Sequence, residues 1–417
     1  MVQDFGAIGD GVTDDTAAIQ AGIDALTPGG TLTFEAGKTY LVSSVTLKAN
    51  CRYTGSATIK QQAGANAQGV IVLAQRVTVD GLTLDGDRGN NTGTFGTGVI
   101  RGASANEVVL RGLTVQNAPY GGIFLQSCQY ATVEDCTLMG CNHEAVFLYR
   151  GCSYSTVRNN AISNCLDDGI KVHGNDLSAP ATTLYGVTVS GNTIDYRGVT
   201  LTELVIGIEI FRKVRDGAAQ GFTVSSNVVY GPDGVGTDEI FGISFSDVDE
   251  AIASDNTVYG PGVEIGFEDA GGDHVIFDSC TIDGFSLFGY SVSGSASNQI
   301  GANDVLIDNA TTRGATATTN VYGVQFYGGG ANGAVRNSSF EDAGERAIMY
   351  NNAGDGGIVD GCSFATVSQA AAMMSIYVFN TDDIAITNNT GASGAGAVQA
   401  PVNNGGSGIV ESGNVWT

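Results

Sequence analysis

Short runs of alternating apolar and polar residues recur along this chain. They include DGIKVHGN (168–175), IGIEIFRK (206–213), FGISFSDV (241–248) and IGFEDAGG (265–272), and many neighbouring runs begin about 24 residues apart. The third and fifth positions of these runs are mostly apolar, as expected for a strand that buries one face and exposes the other. Short strands repeated at a fixed period predict a β-solenoid, in which successive coils stack on one another.

A second series of strands alternates with the first series along the chain and carries asparagine at one turn position. These residues are Asn160, Asn192, Asn227 and Asn256. Stacked in a column, their side chains would hydrogen-bond from coil to coil, and the residues would tolerate the left-handed backbone of a sharp corner. We therefore interpret the asparagine column as structural and not catalytic.

The beginning of the chain follows a different pattern. Residues 14–26 place apolar side chains at helical spacing after an aspartate-rich start, which predicts an amphipathic helix. Such a helix would cover the open end of the first coil. The sequence thus predicts one domain over 1–417, with a cap over 1–40 and solenoid coils from about 41 to 417.

The composition narrows the classes of partner. Lysine and arginine total 18 against 43 aspartates and glutamates, for a net charge of −25. A charge of this sign argues against nucleic acid and against an anionic membrane surface. The chain has no apolar run long enough to span a bilayer, and it does not start with a basic and then apolar leader. We therefore predict neither a membrane segment nor a signal peptide.

The eight cysteines follow the coil period. Cys128 and Cys152 are 24 residues apart, and so are Cys141 and Cys165. The sequence contains no CxxC pair, which argues against a zinc site. We interpret the cysteines as inward-facing free thiols and not as disulfides.

The opening of the chain also resembles a known superfamily. VQDFGAIGDGVTDDTAAIQAGIDAL (2–26), followed by GGTLTFEAGKTY (29–40), is similar to the start of pectate-lyase-like right-handed β-helix proteins. The resemblance implies an all-β fold, a single-stranded right-handed parallel β-helix with an N-terminal capping α-helix. Phage tailspike depolymerases, many glycoside hydrolases and the catalytic modules of mannuronan C-5 epimerases share this opening.

Two further segments bear on the activity that the resemblance implies. GLTLDGDRGNNTG (81–93) is similar to an early epimerase segment, but GGIFLQS after Tyr120 replaces the Asp-Pro-His-Glu run of that family. Asp167 and Asp168 resemble the Asp-Asp pair of polygalacturonase-like hydrolases, although no Gly-His-Gly follows. The resemblance implies action on a polysaccharide by a secreted, extracellular or virion-associated protein. It also implies a homotrimer, as in phage depolymerases.

The coil register predicts where the chemistry lies. Residues one period apart stack about 4.8 Å from each other, which puts Glu144 over Asp168 and His143 over Asp167. The outward side chains near these acids are Lys171, Glu209, Tyr149, His173 and Phe211, with Arg150, Arg212 and Lys213 at the strand ends. Because basic residues are sparse elsewhere, this is the face that an anionic sugar could approach.

Three functions can use such a face. A glycoside hydrolase needs two carboxyl groups, and Asp168 with Glu209 is our leading pair, with Glu144 as competitor and Asp167 as a substitute for Asp168. A lyase or C-5 epimerase acting on a uronic-acid polymer would use Lys171 as base, with an arginine neutralising the substrate carboxylate. A tail-fibre protein or adhesin would bind glycan without cutting it.

We predict a polysaccharide-degrading enzyme, with hydrolysis ahead of elimination. The residues expected to orient the sugar or to hold its carboxylate are His173, Arg212, Arg150, Tyr149, Lys213, Phe211 and His143. No metal site is assigned. The stacked acids would suit Ca²⁺, although the sequence contains no dense calcium-ligand motif.

Overall fold

The computed structural model of this protein consists of short parallel strands joined by tight turns. The described residues are 1–174, 184–201, 203–212, 219–234, 240–294, 302–316, 320–328, 332–365, 375–392, 402–404 and 407–416. The chain divides into two compact units, unit 1 from Met1 to Leu201 and unit 2 from Thr202 to Thr417. Both units consist of stacked parallel strands, which confirms the predicted all-β solenoid.

Unit 1 begins with two short helices. A 3-10 helix spans Val2–Phe5, and an α-helix spans Thr16–Asp24 with the side chains of Ile19 and Ile23 buried. The α-helix is shorter than the predicted 14–26. It begins later because Asp14 still belongs to a strand, while the carboxylate of Asp15 accepts hydrogen bonds from two main-chain N–H groups of the preceding loop.

Three parallel sheets form the body of unit 1. Sheet 1 contains Asp10–Asp14, Thr39–Val42, Thr58–Gln61, Thr83–Asp85, Thr114–Ala118, Thr137–Cys141, Ala161–Ser163 and Thr193–Asp195. Sheet 2 contains Val45–Thr46, Ile71–Leu73, Gly98–Ala103, Gly121–Gln126, Val146–Tyr149 and Ile170–His173. Sheet 3 contains Thr31–Phe34, Arg52–Gly55, Thr78–Asp80, Val109–Arg111, Thr132–Glu134, Thr156–Arg158 and Thr188–Ser190. A further short strand is Leu184–Tyr185.

Unit 2 also contains three parallel sheets. The first contains Val228–Tyr230, Thr257–Tyr259, Thr281–Phe285, Thr311–Ala315, Ser339–Glu341, Ser363–Ala365, Thr390–Ala392 and Val415–Trp416. The second contains Val205–Phe211, Ile240–Ser246, Ile265–Ala270, Phe288–Ser293, Tyr322–Tyr327, Arg346–Asn351, Ile376–Phe379 and Val402–Asn404. The third contains Ala219–Ser225, Asp249–Ser254, Ile276–Asp278, Leu306–Asp308, Ala334–Arg336, Ile358–Asp360, Ala385–Thr387 and Val410–Ser412.

The alternation of the sequence sets which side chains enter the core. In Ile170–His173 the side chains of Ile170 and Val172 are buried, whereas Lys171 and His173 are partly exposed. This strand pairs in parallel with the strand one period earlier, which aligns Lys171 with Phe147. Successive coils therefore repeat the same inward and outward positions, as the periodicity predicts.

The asparagine column forms the predicted hydrogen-bonded ladder. In unit 1 the Oδ1 of Asn192 accepts hydrogen bonds from the main-chain and the side-chain N–H of Asn160, both at 2.9 Å. Asn256 accepts the same pair from Asn227 in unit 2, at 3.0 and 2.9 Å. The prediction was wrong about the left-handed backbone, which lies on the preceding residue, for example Asn159 at φ 55°. The ladder asparagine itself turns its amide inward, so its neighbour makes the corner.

The cysteines are free thiols, as predicted. All eight are buried and none forms a disulfide. Burial raises the pKa of the Cys136 thiol to about 11 and that of Cys280 to about 12, because the interior disfavours a thiolate. These thiols act as small apolar side chains of the core.

Candidate active site

The acids predicted to stack lie together at one edge of sheet 2 in unit 1. His143 and Glu144 precede the strand Val146–Tyr149, and Asp167 and Asp168 precede the next strand, Ile170–His173. The main-chain N–H of the residue after Glu144 donates to the carbonyl of Asp168 at 3.1 Å. Parallel pairing thus brings the two dipeptides onto neighbouring coils, and the predicted stacking is confirmed.

His143 joins two of these acids. Its Nδ1 lies 2.9 Å from Oε2 of Glu144 and 2.5 Å from Oδ2 of Asp167. The ring also stacks on Tyr120, with centroids 4.1 Å apart and planes inclined by 16°. The His143 side chain is 32% exposed, whereas both carboxylates are buried. The imidazole therefore covers the acids and faces outward itself.

The ionisation of the group follows from this contact. Burial lowers the pKa of His143, but the hydrogen bonds and negative charges of Asp167 and Glu144 outweigh it and raise that pKa to about 10. For Asp167, burial acts in the opposite direction and raises the pKa. The hydrogen bond and the positive charge of His143 outweigh burial, so the pKa of Asp167 lies below its ordinary value. At neutral pH His143 is an imidazolium held beside an ionised Asp167.

Asp168 has a different partner. Its carboxylate is buried and accepts a hydrogen bond from Nζ of Lys171 at 2.7 Å. Its main-chain N–H donates to Oδ1 of Asp167 at 2.8 Å, and the hydroxyl of Tyr196 donates to the main-chain carbonyl of Asp167 at 3.1 Å. These contacts fix the two aspartates with their carboxylates directed to different cations.

The same residues could hold a metal ion. One ligand atom each from His143, Glu144 and Asp167 lies within 4.8 Å of the others. A set of one imidazole nitrogen and two carboxylate oxygens suits transition metals better than Ca²⁺, which prefers oxygen ligands alone. The contacts in this structure are those of an imidazolium bound by two carboxylates.

The aromatic residues of this face are arranged differently from our expectation. Tyr149 is predicted to be open to a sugar, but it is only 4% exposed and clusters with Phe124 and Phe147. Phe95, from a loop one coil before Phe124 and two coils before Tyr149, lies over all three rings at centroid distances of 5.4–6.3 Å and is itself 59% exposed. Phe95 is therefore the ring that solvent or a ligand meets. Its place in TGTFGTG, between turn residues, was the signal that the sequence offered.

Basic residues border the aromatic cluster. The guanidinium of Arg150 lies 4.9 Å from the centroid of Tyr149, and that of Arg101 lies 4.7 Å from Phe124. His173 lies 5.7 Å from the ring of Tyr149. Arg101 was not identified from the sequence, because this residue precedes the acids by several coils. The signal for it was the strand register, which aligns Arg101 with Phe124.

The remaining predicted residues lie in unit 2. Glu209 aligns with Ser244 and Ser244 with Glu268, and the Ser244 hydroxyl donates to Glu268 at 2.7 Å. Burial raises the pKa of Glu268, and the nearby Glu209 raises it further. Phe211 lies at the end of the same strand as Glu209.

Two predicted basic residues follow Phe211 in the sequence. The guanidinium of Arg212 is 3.6 Å from the carboxylate of Asp249. Lys213 lies outside the described residues. The leading pair, Asp168 and Glu209, draws one member from each unit, and it stays a prediction.

Comparison with known proteins agrees with the fold. A family model described as a right-handed β-helix region matches residues 63–240. The chain is a right-handed parallel β-helix. Within the described residues no helix is long and apolar enough to cross a membrane.

The β-helix has similar proteins among the mannuronan epimerases. It is 40% identical over 113 residues to mannuronan C5-epimerase AlgE2 of Azotobacter vinelandii, a match that covers 22% of this chain and 11% of that enzyme. The A-module of mannuronan C-5 epimerase AlgE4 from the same organism superposes with a TM-score of 0.58 at 18% identity, over 88% of this chain and 95% of that module. The second comparison shows a shared fold.

A phage protein also has this fold. The tailspike protein of E. coli bacteriophage HK620, solved in complex with a pentasaccharide, superposes with a TM-score of 0.56 at 14% identity, over 90% of this chain and 80% of that protein. The proteins similar to this β-helix thus include carbohydrate-active enzymes and a tailspike that binds an oligosaccharide.

Proposed function

We propose that this β-helix hydrolyses a polysaccharide, with Glu144 and Asp167 as its two carboxyl groups. The observation that supports this most is their separation, since the carboxylate oxygens lie within 4.8 Å of each other and of Nδ1 of His143. Retaining glycosidases hold their two carboxyl groups about 5–5.5 Å apart. In this proposal Glu144 and Asp167 replace the pair of Asp168 and Glu209 as the leading candidates.

The roles follow from the environments of the two acids. Asp167, whose pKa is lowered by His143, is the ionised carboxylate that attacks the sugar or stabilises its positive charge. Glu144 lies 2.9 Å from Nδ1 of His143, so the imidazolium is the source of the proton, which Glu144 relays to the leaving oxygen as the glycosidic bond breaks. Lys171 donates a hydrogen bond to Asp168 and orients it beside them.

Elimination or epimerisation is the second candidate, and the exposure of the cations favours it. His143 and Lys171 are the more exposed members of the cluster, so a sugar carboxylate would meet their positive charges before it met the acids. The sequence similarity to a mannuronan epimerase points to the same class of substrate. An amine acts as a base only in its neutral form, so in this candidate Lys171 takes up the C5 proton as a neutral amine.

The test separates these reactions by their products. The protein is incubated with a panel of bacterial and algal polysaccharides, and new reducing ends and the ultraviolet absorbance of unsaturated sugars are recorded. Hydrolysis gives reducing ends without absorbance, and Glu144→Gln or Asp167→Asn should lower that rate by at least about 100-fold. Asp135→Asn, which changes an exposed acid of the same unit, is the matched control.

Other outcomes would redirect or refute the proposal. Loss of activity in Asp168→Asn, Glu209→Gln or Glu268→Gln alone would place the chemistry elsewhere. Unsaturated products, or proton exchange at C5 without cleavage, would establish the second candidate. Binding of a polysaccharide with no product of any kind would leave a glycan-binding tail-fibre or adhesin.

The proposed substrate also bears on location and assembly. We propose that the protein acts where polysaccharides are met, as a secreted, extracellular or virion-associated protein. Light scattering on the same sample tests the homotrimer that the tailspike resemblance implies.

A further inference from the structure

Unit 2 carries a second group of aromatic and polar side chains on its second sheet. We call it the aromatic surface, and it is formed by the outward positions of three neighbouring strands, Tyr322–Tyr327, Arg346–Asn351 and Ile376–Phe379. The parallel register aligns these positions in rows. The rows are Tyr322 with Arg346, then Gln325 with Met349 and Tyr377, and then Tyr327 with Asn351 and Phe379.

Arg346 lies between two tyrosine rings. Its guanidinium carbon is 4.1 Å from the centroid of Tyr377 and 5.7 Å from that of Tyr322. Its Nη2 is 3.3 Å from the carboxylate of Glu345. Cation–π contact and the ion pair hold the guanidinium and the Tyr377 ring in place, so the centre of the aromatic surface is rigid.

The third row, at the C-terminal ends of the three strands, is the most exposed part of the aromatic surface. Tyr327 is 51% exposed and Phe379 is 37% exposed, with Asn351 on the coil between them. Two coil steps separate the two rings, about 9.6 Å, which is close to the length of a disaccharide. The side-chain amide of Asn351, between these two exposed rings, can hydrogen-bond a sugar chain at the linkage between two sugar units.

The mixture of groups identifies the class of ligand. A sugar ring has apolar C–H faces that stack on aromatic rings and a rim of hydroxyls that need hydrogen bonds. The aromatic surface supplies both in alternation, with Arg346 and Asn351 on the coil between the ring-bearing coils. The core of a subunit interface is instead depleted of charge, and here a guanidinium lies at the centre.

We propose that the aromatic surface of unit 2 binds a polysaccharide chain without cleaving it. It contains no pair of carboxylates at catalytic spacing among the residues that define it. The proposal goes beyond the hydrolytic site of unit 1 and takes the same class of ligand, but it does not need that site to be active. A chain held at this surface would remain bound between cleavage events.

The test is affinity electrophoresis of the full-length protein in gels that contain sodium alginate, polygalacturonate or an uncharged β-glucan. Glu144→Gln is used as the background, so that the polymers are not shortened during the run. At least one polymer should retard this protein. Tyr377→Ala or Phe379→Ala should raise the apparent Kd by about 3- to 10-fold, because each removes one stacking ring.

Two controls keep the result specific. Tyr154→Ala removes an exposed tyrosine of unit 1 that lies outside the aromatic surface, and it should leave the retardation unchanged. Tyr130→Ala removes a similarly exposed tyrosine from unit 1 and should also have no effect. Thermal unfolding of each variant shows whether it is folded as the parent is.

Three outcomes would overturn the proposal. The first is that none of the three polymers retards the protein, and the second is that Tyr130→Ala weakens binding as much as Phe379→Ala. The third is that Phe379→Ala converts an oligomer to a monomer by light scattering without changing retardation, which would make the surface a subunit contact. Absence of cleavage by the unmutated protein would instead count only against the hydrolytic site.

Discussion

Replacing His143 by glutamine removes the cation that lies between the carboxylates of Glu144 and Asp167. Glutamine is similar in size and can donate a hydrogen bond, but it carries no charge. The variant therefore leaves two buried acids facing each other without an imidazolium. We expect it to be less stable than the parent protein, and the difference to depend on pH.

The magnitude follows from the pKa of His143. A pKa raised from 6.5 to about 10 corresponds to at most about 5 kcal/mol of stabilisation, since one pKa unit is worth about 1.4 kcal/mol. The ring is 32% exposed, so water screens the contact and about 2 kcal/mol is expected. Because the folded-state pKa is raised, the stabilisation is fully present below about pH 6.5 and is lost as the pH rises through about 10.

Urea unfolding at a series of pH values measures this difference. The free energies of unfolding of the parent protein and of His143→Gln should differ most near about pH 6.5. They should converge above about pH 10. His274→Gln is the matched control, because His274 is 69% exposed and its ion pair with Asp304 contributes at most about 1 kcal/mol. An equal difference between parent and His143→Gln at both ends would refute the assignment of an imidazolium to His143.

Three further predictions concern the ladder, the aromatic cluster and the thiols. Asn192→Ala should lower the free energy of unfolding by about 1–3 kcal/mol in urea titration, because two buried N–H groups of Asn160 lose their acceptor. The control is Asn90→Ala at an exposed turn, which should change that free energy by less than about 0.5 kcal/mol. Phe95→Ala should weaken polysaccharide binding in the same gels by about 3- to 10-fold and leave the fold intact by circular dichroism, since the ring is exposed. A thiol reagent should label the native protein slowly and all eight cysteines after unfolding without reductant, and fewer than eight labels would contradict the absence of disulfides.

Much of the coil geometry was readable from the chain because it repeats locally. A strand of alternating residues can bury only one face, so the period and the alternation together fix which residues stack on the next coil. That reasoning placed His143 over Asp167 and Glu144 over Asp168, and it predicted the asparagine ladder and the free thiols.

The contacts of the side chains required the tertiary structure. Register states which Cα atoms are neighbours, but rotamers and packing decide that one imidazole bridges two carboxylates while Lys171 holds a third. The burial of Tyr149 depends on Phe95, which comes from a loop more than fifty residues earlier. Arg346 between Tyr322 and Tyr377 likewise combines three coils. Local pattern determines the coil, and contacts between distant segments determine what the coil presents to a ligand.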